Sequence, residues 1–198
     1  MGILKNLTEE YFGNTTREED LIDIHDLNVE IVSFTDNNGK KHRRGYKPKD
    51  KDTLEKLLKR MIEVRGDEGD FNDIDTSDIK DMESLFLFNT TFNGDITGWN
   101  VSSVRNMRNM FYNASSFNQP IGNWEFPKVT DMSGMFYDAK SFNQPIGNWE
   151  FPNVKYMNYM FYNATSFNQD LSKWDLKGKD KIEIFYGCPI KNKYKPKM

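Results

Sequence analysis

Apolar and polar positions in the second half of the chain recur every 25 residues. All four tryptophans of the protein lie at this interval, at Trp99, Trp124, Trp149 and Trp174. Apolar residues follow each tryptophan at fixed offsets, in the first complete unit at Val101, Val104, Met107, Met110, Phe111, Phe117 and Ile121. A fixed period of about 20–50 residues is typical of repeats that bury their apolar side only by stacking on neighbouring units.

The pattern extends beyond the complete units in both directions. Before Trp99 it continues through weaker matches at Ile74, Ile79, Met82, Leu85 and Phe86. After Trp174 the apolar positions are expected at Leu176, Ile182 and Phe185, with Lys179 in place of the valine. An atypical first unit and a shortened last unit suit the ends of a stack, since each has one side without a neighbour. The pattern therefore predicts about five units over residues 70–190.

Two local patterns predict secondary structure inside each unit. The spacing of three from Val104 through Met107 to Met110 predicts a short helix or 3₁₀ segment. Residues 117–124 predict a short extended strand that stacks on the same segment of the next unit. Pro120 lies within this segment, and proline cannot donate a ladder hydrogen bond, so we expect the pairing to be interrupted there.

The region before the repeats predicts a hairpin followed by a helix. Residues 29–34 have strand composition, residues 36–39 form the turn signal Asp-Asn-Asn-Gly, and residues 40–46 return as the second strand. A helix over about 52–65 then presents one apolar stripe, with Asp52 and Glu55 spaced for a capping box and Gly66 at its end. We expect residues 29–69 to cap the first unit of the stack.

The two ends of the chain have different compositions. Residues 1–28 are acidic and carry apolar residues only in scattered pairs: Ile3-Leu4, Tyr11-Phe12 and Leu21-Ile22. Such a segment is too poor in apolar residues for a core of its own, so we predict a docking arm held by a partner. Residues 191–198 form a basic tail, predicted to be frayed or bound by a partner.

Composition and charge exclude several classes of protein. The chain has 198 residues, of which 37% are hydrophobic. Its formal net charge of −3 does not indicate binding to bulk polyanions. A single cysteine, Cys188, excludes an intramolecular disulfide framework. The sequence has no transmembrane run, and its first residues contain neither a signal-peptide core nor a lipid-attachment cysteine. We therefore predict no membrane insertion, while the cellular location stays open.

Few residues offer catalytic or ligand-binding chemistry. His25 and His42 lack a partner at metal or nucleophile spacing. The acidic residues at 73, 75, 78 and 81 suit Ca²⁺ oxygen ligands, but turn and cap roles are favoured. The basic segment 40–47, with Arg43 and Arg44, suits phosphate contacts, but a solvated strand or ionic docking is favoured. Cys188 is expected to be a buried small apolar residue rather than a reactive thiol. We predict no enzyme, no cofactor and no metal site.

The repeat also carries a family resemblance. Its pattern W-x-V/F-x-x-V-x-x-M-x-x-M-F-Y-x-A-x-S-F-N-Q resembles the BspA-like leucine-rich repeats, which are found in bacterial surface proteins and in phages of gut Bacteroidetes. The resemblance covers about residues 70–190. It implies an α/β repeat fold, a leucine-rich-repeat-like solenoid with the N-terminal hairpin and helix as its cap. It also implies adhesion or protein binding rather than a reaction.

Two classes of function follow. The first is a non-enzymatic protein–protein interaction or structural module displayed by a larger assembly, with a phage virion component favoured over a bacterial cell-surface adhesin. Its partners would be assembly subunits or a host surface component, contacted through Ile3, Leu4, Tyr11, Phe12, Leu21, Ile22, Arg43 and Arg44. The alternative is a nucleic-acid-binding accessory protein that uses the segment 40–47; we give it less weight. No small-molecule substrate is expected.

Overall fold

The computed structural model describes residues 21–197. Its regular elements are strand β1 (Val29–Thr35), strand β2 (Lys41–Pro48), helix α1 (Lys51–Arg65) and a 3₁₀ turn (Asn192–Tyr194). The residues after α1 form layers built from turns and joined by hydrogen bonds, most of them between residues 23 to 26 positions apart. One continuous core runs from α1 through every layer to Ile190.

The hairpin is antiparallel and pairs Val29 with Pro48 and Thr35 with Lys41, with an irregularity between Val32 and Phe34. Gly39 closes the turn at a φ of 80°, a conformation that glycine adopts without steric cost. Beyond the turn, the hairpin tip lies on the first two layers, because the Asn37 N–H donates to the Gly98 carbonyl at 2.8 Å. The hairpin therefore braces the side of the stack.

Helix α1 begins earlier than the sequence predicted. Its N-cap is Asp50, whose carboxylate accepts the Thr53 N–H at 2.9 Å, so Asp52 is inside the first turn. Asp52 pairs instead with Lys56 across one helical turn. Gly66 ends the helix and donates its N–H to the Ile62 carbonyl. The apolar stripe is buried through Leu54, Leu57, Leu58 and Met61.

The predicted helix or 3₁₀ segment in each unit is wrong. The structure has consecutive turns there, which we call the ladder segments: residues 82–88, 107–113, 132–138, 157–163 and 181–187. Each contains two left-handed residues four apart, for example Asn109 at a φ of 55° and Asn113 at 55°. A residue in the left-handed region stops a right-handed helix from propagating. The spacing of three instead reflects tandem turns such as Met110 N–H to Met107 carbonyl.

The ladder segments join the layers in one direction. At each junction four N–H groups donate to carbonyls of the next layer; in the second layer the donors are Met107, Asn109, Phe111 and Asn113, at 2.7–2.9 Å. The same four bonds recur at all four junctions. A parallel bridge, such as Asp81 to Asn106, flanks the ladder on one side. The backbone groups inside the stack are thus paired mainly with adjacent layers, as buried groups require.

The predicted strand over 117–124 is also absent, and asparagine side chains hold the layers together at this position. The Asn118 N–H donates to the Asn93 side-chain oxygen at 2.9 Å, and the Gln119 amide donates to the Asn93 carbonyl at 2.6 Å. Asn143 and Asn168 repeat the first bond on the following layers. A side-chain ladder needs no N–H from Pro120, which explains how proline is accommodated here.

The last layer corrects the predicted register. Phe161 donates its N–H to Ile184, which is 23 residues on rather than 24, so one residue is missing before the fifth ladder segment. Ile184 is therefore buried, whereas Ile182, assigned to a core position from the sequence, is 61% exposed. The tail is not frayed: the Leu171 N–H donates to the Tyr194 carbonyl and the Lys191 N–H to the Asn168 side chain.

Candidate functional site

The predicted apolar anchors divide between described and undescribed parts of the chain. Ile3, Leu4, Tyr11 and Phe12 lie outside the described residues. Of the last pair, Leu21 is 37% exposed, whereas Ile22 is buried in the core cluster that includes α1. Nearby, Arg60 of α1 binds Asp26 with two hydrogen bonds, at 2.7 and 2.9 Å. Residues 22–26 therefore belong to the cap.

The basic segment 40–47 contacts the acidic run of the first layer. Lys40 lies 3.2 Å from Asp70, and Lys47 lies 3.0 Å from Asp78 and 3.5 Å from Asp75. The hydrogen bond that Lys47 donates to the Asp78 carboxylate raises the pKa of Lys47. Arg44 is exposed on β2, and of Arg43 only the backbone is described. Much of the positive charge of this segment is thus used to dock the hairpin.

The acidic run has structural contacts at each position. Asp73 accepts two hydrogen bonds from Arg65, both at 2.7 Å, at the junction of α1 with the first layer. Asp75 and Asp81 accept N–H groups two residues ahead, as turn-forming aspartates do. Within residues 21–197 no group of three His, Cys, Asp or Glu side chains could hold a metal ion.

Sequence reasoning missed a buried histidine–carboxylate pair. His42 Nε2 lies 2.8 Å from Asp36 Oδ2, and the His42 ring stacks on Phe34 at 5.0 Å. Asp36 Oδ1 also accepts the N–H groups of Asn38 and Lys40. In the sequence, the pair is indicated by an aspartate and a histidine six residues apart on either side of a turn signal. In the structure both residues face inward. The hydrogen bonds of the pair lie within the hairpin, so its role is to fix the turn.

Cys188 is half-buried in the last layer. Its Sγ lies 3.4 Å from the Phe167 carbonyl, and burial raises the pKa of the thiol to about 11. A thiol with a raised pKa holds little thiolate at neutral pH and is a weak nucleophile. Its position follows the second left-handed residue of the layer, where the preceding layers have alanine at 114, 139 and 164.

The most extended feature of the surface is a column of stacked tyrosines, the tyrosine ladder: Tyr112, Tyr137, Tyr162 and Tyr186. Successive ring centroids are 4.4, 4.6 and 4.8 Å apart, with interplanar angles of 6°, 4° and 18°. Phe88 packs edge-on against Tyr112 at 5.4 Å and extends the column to the first layer. The column therefore spans all five layers.

The two left-handed residues of each ladder segment account for the position of the tyrosine. In the second layer Phe111 is fully buried, while Tyr112, the next residue, is only half-buried. Left-handed Asn109 and Asn113 flank this pair, and the Tyr112 N–H turns back to the Asn109 carbonyl. In the second to fifth layers the backbone thus places one aromatic ring toward the core and the next on the surface, whereas the first layer has Leu87 after Phe86.

The ladder is aromatic and partly solvated. Phe88 is 61% exposed and Tyr186 is 58% exposed at its two ends, and Tyr159 adds a further exposed ring beside Tyr162. Burial, reinforced by the neighbouring phenols, raises the pKa of Tyr137 and of Tyr162 above the ordinary value. Their hydroxyls consequently stay protonated, so the ladder offers both apolar ring surface and hydrogen-bond donors.

One family model matches the chain over residues 53–174 and again over 121–194, under the description "Mycoplasma protein of unknown function, DUF285". The two matches together cover α1 from Thr53, every layer and the first half of the C-terminal tail. The chain belongs to the DUF285 family. This family fits the BspA-like repeat resemblance in a general way. No curated protein and no solved structure matches the chain.

The DUF285 match places the tyrosine ladder inside the family region and the hairpin outside it. The family description assigns no activity. The residues that the structure describes contain no helix of the length and apolar character needed to cross a bilayer. Function is therefore inferred from the geometry of the tyrosine ladder.

Proposed function

We propose that the chain is a leucine-rich-repeat-like solenoid that acts as a non-enzymatic protein-interaction module, with the tyrosine ladder as its partner-binding face. The observation that carries this proposal is the column of stacked, partly exposed rings over five layers. Tyrosine is enriched at protein interfaces because it offers a large, rigid surface together with a hydrogen-bonding hydroxyl.

The rigidity of the ladder favours binding. Each ladder segment is tied to its neighbours by four backbone hydrogen bonds, and interior tyrosines are held between rings of adjacent layers. A partner that docks on such a surface immobilises few side chains, which reduces the entropic cost of association. An elongated, pre-ordered strip of this kind suits a partner with an extended surface of its own.

The finer proposal is that a larger assembly displays this module, as a phage virion component with the chain's N-terminal segment as its attachment. The BspA-like resemblance supports this proposal, as does the separation between the hairpin cap and the tyrosine face. A bacterial cell-surface adhesin is the alternative from the same resemblance. We give less weight to a nucleic-acid-binding role, because Lys40 and Lys47 bind carboxylates of the first layer.

The test is recovery of partners from the native source with tagged full-length chains. Tyr137→Ala combined with Tyr162→Ala removes the centre of the ladder. Glu125→Ala combined with Glu150→Ala is the matched control, because these residues are exposed in the same two layers, directly after the tryptophans. If each tyrosine is worth about 2 kcal/mol of binding, partner recovery should fall tenfold or more with the first pair and stay unchanged with the control.

The identity of the recovered proteins tests the finer proposal. Structural proteins of a phage particle would support the virion role, and envelope or host surface proteins would support the adhesin. Equal recovery of the same partners by both double variants would overturn the tyrosine ladder as the binding face. Circular dichroism and urea melts of each variant would show whether the fold is retained.

A further inference from the structure

The last ladder segment leaves one edge of the stack open. In the preceding layer the N–H groups of Met157, Tyr159, Phe161 and Asn163 all donate to the fifth layer. The corresponding donors in the fifth layer are the N–H groups of Lys181, Glu183, Phe185 and Gly187, and none of these four has an acceptor among the described residues. The stack thus ends in a row of four unpaired donors.

Apolar side chains accompany the open donors. Ile182 is 61% exposed and Tyr186 is 58% exposed. Phe185 is only partly buried, whereas Phe111, Phe136 and Phe161 at the same position of earlier layers are fully buried. The tail lies instead on the preceding layer, where it bonds to Asn168 and Leu171. The edge is therefore ready for one more layer that supplies carbonyl groups and aromatic rings.

The sequence contains a segment of this kind outside the stack. Residues 9–14 read Glu-Glu-Tyr-Phe-Gly-Asn, and residues 183–188 read Glu-Ile-Phe-Tyr-Gly-Cys. Both place Glu and Gly four apart with two aromatic residues directly before the glycine. In residues 183–188 the Glu and the Gly are the two left-handed positions, at φ values of 48° and 67°. The following Asn14-Thr15-Thr16 matches Asn89-Thr90-Thr91 of the first layer.

We propose that residues 9–14 of a second copy of this chain add to the ladder segment 181–187 as a sixth layer. In this register the N–H groups of Glu183, Phe185 and Gly187 donate to the carbonyls of Thr8, Glu10 and Phe12 of that copy. Tyr11 covers Phe185, and Phe12 stacks on Tyr186 to continue the tyrosine ladder. This inference shares with the proposed function the assignment of the N-terminal segment to attachment, but it does not need the ladder face to bind a partner.

The reach of the chain excludes the same copy as donor. Five layer steps of 4.4–4.8 Å separate the first ladder segment from a sixth, about 23 Å, and packing of α1 beyond the first layer adds roughly 10 Å. Asp26 is held at α1 by Arg60, so the chain starts from the capped end. Seven residues from Asn14 to Leu21 span at most about 25 Å.

Two other arrangements of copies do not satisfy the donors. Contact between two C-terminal ends would place donor rows against each other. Docking of the first layer of a second copy on this edge is blocked, because α1 buries Leu57 and Met61 against that end of the core. The N-terminal segment is thus the part of a second copy that offers a matching pattern without displacing a structured element.

Cys188 provides a direct test, because its counterpart in the sixth layer is Asn14. Neighbouring equivalent residues of stacked layers lie within the Cα separation of about 4.4–6.8 Å that a disulfide requires. Full-length Asn14→Cys, treated with copper phenanthroline at high protein concentration, should form intermolecular disulfides with Cys188. Glu18→Cys is the out-of-register control, and adding Cys188→Ser to Asn14→Cys should abolish the specific product.

Mixing two different variants distinguishes binding of residues 9–14 to a second copy from binding to the same chain. A chain carrying Asn14→Cys and Cys188→Ser, mixed with a mass-tagged chain that has only Cys188, should give the mixed dimer at least five times more efficiently than the Glu18→Cys control. A linked monomer of the single variant Asn14→Cys would place the segment on its own chain and overturn the second-copy proposal. Equal linkage for both cysteine positions would overturn the register.

A pair of substitutions at Gly13 tests the left-handed position independently. Asn is found at this position in the second and fourth layers, so Gly13→Asn should keep the disulfide yield, whereas the β-branched Gly13→Val should reduce it several-fold. Equal yields would contradict the proposal. Partner recovery through Tyr137 and Tyr162 is a separate readout, so loss of the disulfide with partner binding intact would defeat this inference alone.

Discussion

The two ends of the stack are finished in different ways. At the N-terminal end a helix with a separate sequence pattern covers the first layer, and Leu54, Leu57, Leu58 and Met61 are buried. At the C-terminal end the last layer is a shortened repeat, with Ile182 and Tyr186 exposed and a short tail over one side. Without a dedicated cap, the repeat ends with backbone N–H donors that have no acceptor within residues 21–197 and with apolar side chains exposed to solvent.

The largest contrast is expected between apolar residues at the two ends. Leu57→Ala removes a fully buried side chain between α1 and the first layer and should cost about 2–5 kcal/mol of unfolding free energy. Ile182→Ala changes a side chain that is 61% exposed and should cost less than about 0.5 kcal/mol. Urea melts of the two variants measure both. Similar losses would mean that the open edge is covered in solution.

The junction between cap and stack should also be sensitive. Arg65→Ala leaves the Asp73 carboxylate, only 20% exposed, without its paired donor and should destabilise the protein by about 1–3 kcal/mol. Lys56→Ala removes a pair with Asp52 in which both side chains are largely exposed, and should leave the stability almost unchanged. Thermal melts at two salt concentrations provide the readout. An equal effect of both variants would show that Arg65 does not tie α1 to the first layer.

Inside the stack, two tryptophans should differ although both are buried. Trp149 Nε1 donates to the Ile121 carbonyl at 3.2 Å, whereas buried Trp124 Nε1 has no hydrogen-bond partner among the described residues. Trp149→Phe should therefore cost about 1–2 kcal/mol more than Trp124→Phe, because only the former loses an indole hydrogen bond, whereas the latter removes a buried donor that has no partner among those residues. Urea denaturation is the measurement, and a larger loss for Trp124→Phe would reverse the assignment.

The smallest effect concerns the N-cap of α1 and depends on pH. The hydrogen bond from Thr53 lowers the pKa of Asp50 in the folded state. Its contribution is thus present above the unfolded-state pKa and is lost as the pH falls through the folded pKa. Asp50→Ala should cost about 1 kcal/mol at pH 7, and this cost should shrink as the pH falls through the lowered folded-state pKa. Melts from pH 7 downwards measure the stability difference between Asp50→Ala and the wild type. A difference that does not change with pH would contradict the role of Asp50 as the N-cap.

The period of the stack could be predicted from sequence, but its local conformation could not. The tryptophan interval gives the spacing of equivalent residues that the interlayer hydrogen bonds show. The spacing of three around Met107 indicated a helix, because left-handed residues such as Asn109 leave no periodic signal of their own. The solenoid class itself stays a prediction, and so do the absence of an enzymatic role and the identity of the partners.

The assignment of Ile182 to a core position was wrong, and the sequence contains a signal that indicates the correct register. Ile184-Phe185-Tyr186 repeats Met160-Phe161-Tyr162 at an interval of 24, which reveals the missing residue. The tyrosine ladder is likewise visible in the recurring Phe-Tyr pairs that begin at 111, 136, 161 and 185. Its exposure could not be read from the sequence, because it depends on the backbone conformation at the flanking left-handed positions.

The uniform direction of the ladder hydrogen bonds gives the stack an electrical polarity. Four peptide N–H groups per layer point toward the C-terminal end, so their dipoles add along the stacking axis, as those of a helix do along its own. Partial positive charge consequently accumulates at the open edge formed by residues 181–187. By this partial charge alone, apart from the formal charges of Lys181 and Glu183, acidic groups should be attracted to that edge and basic groups repelled.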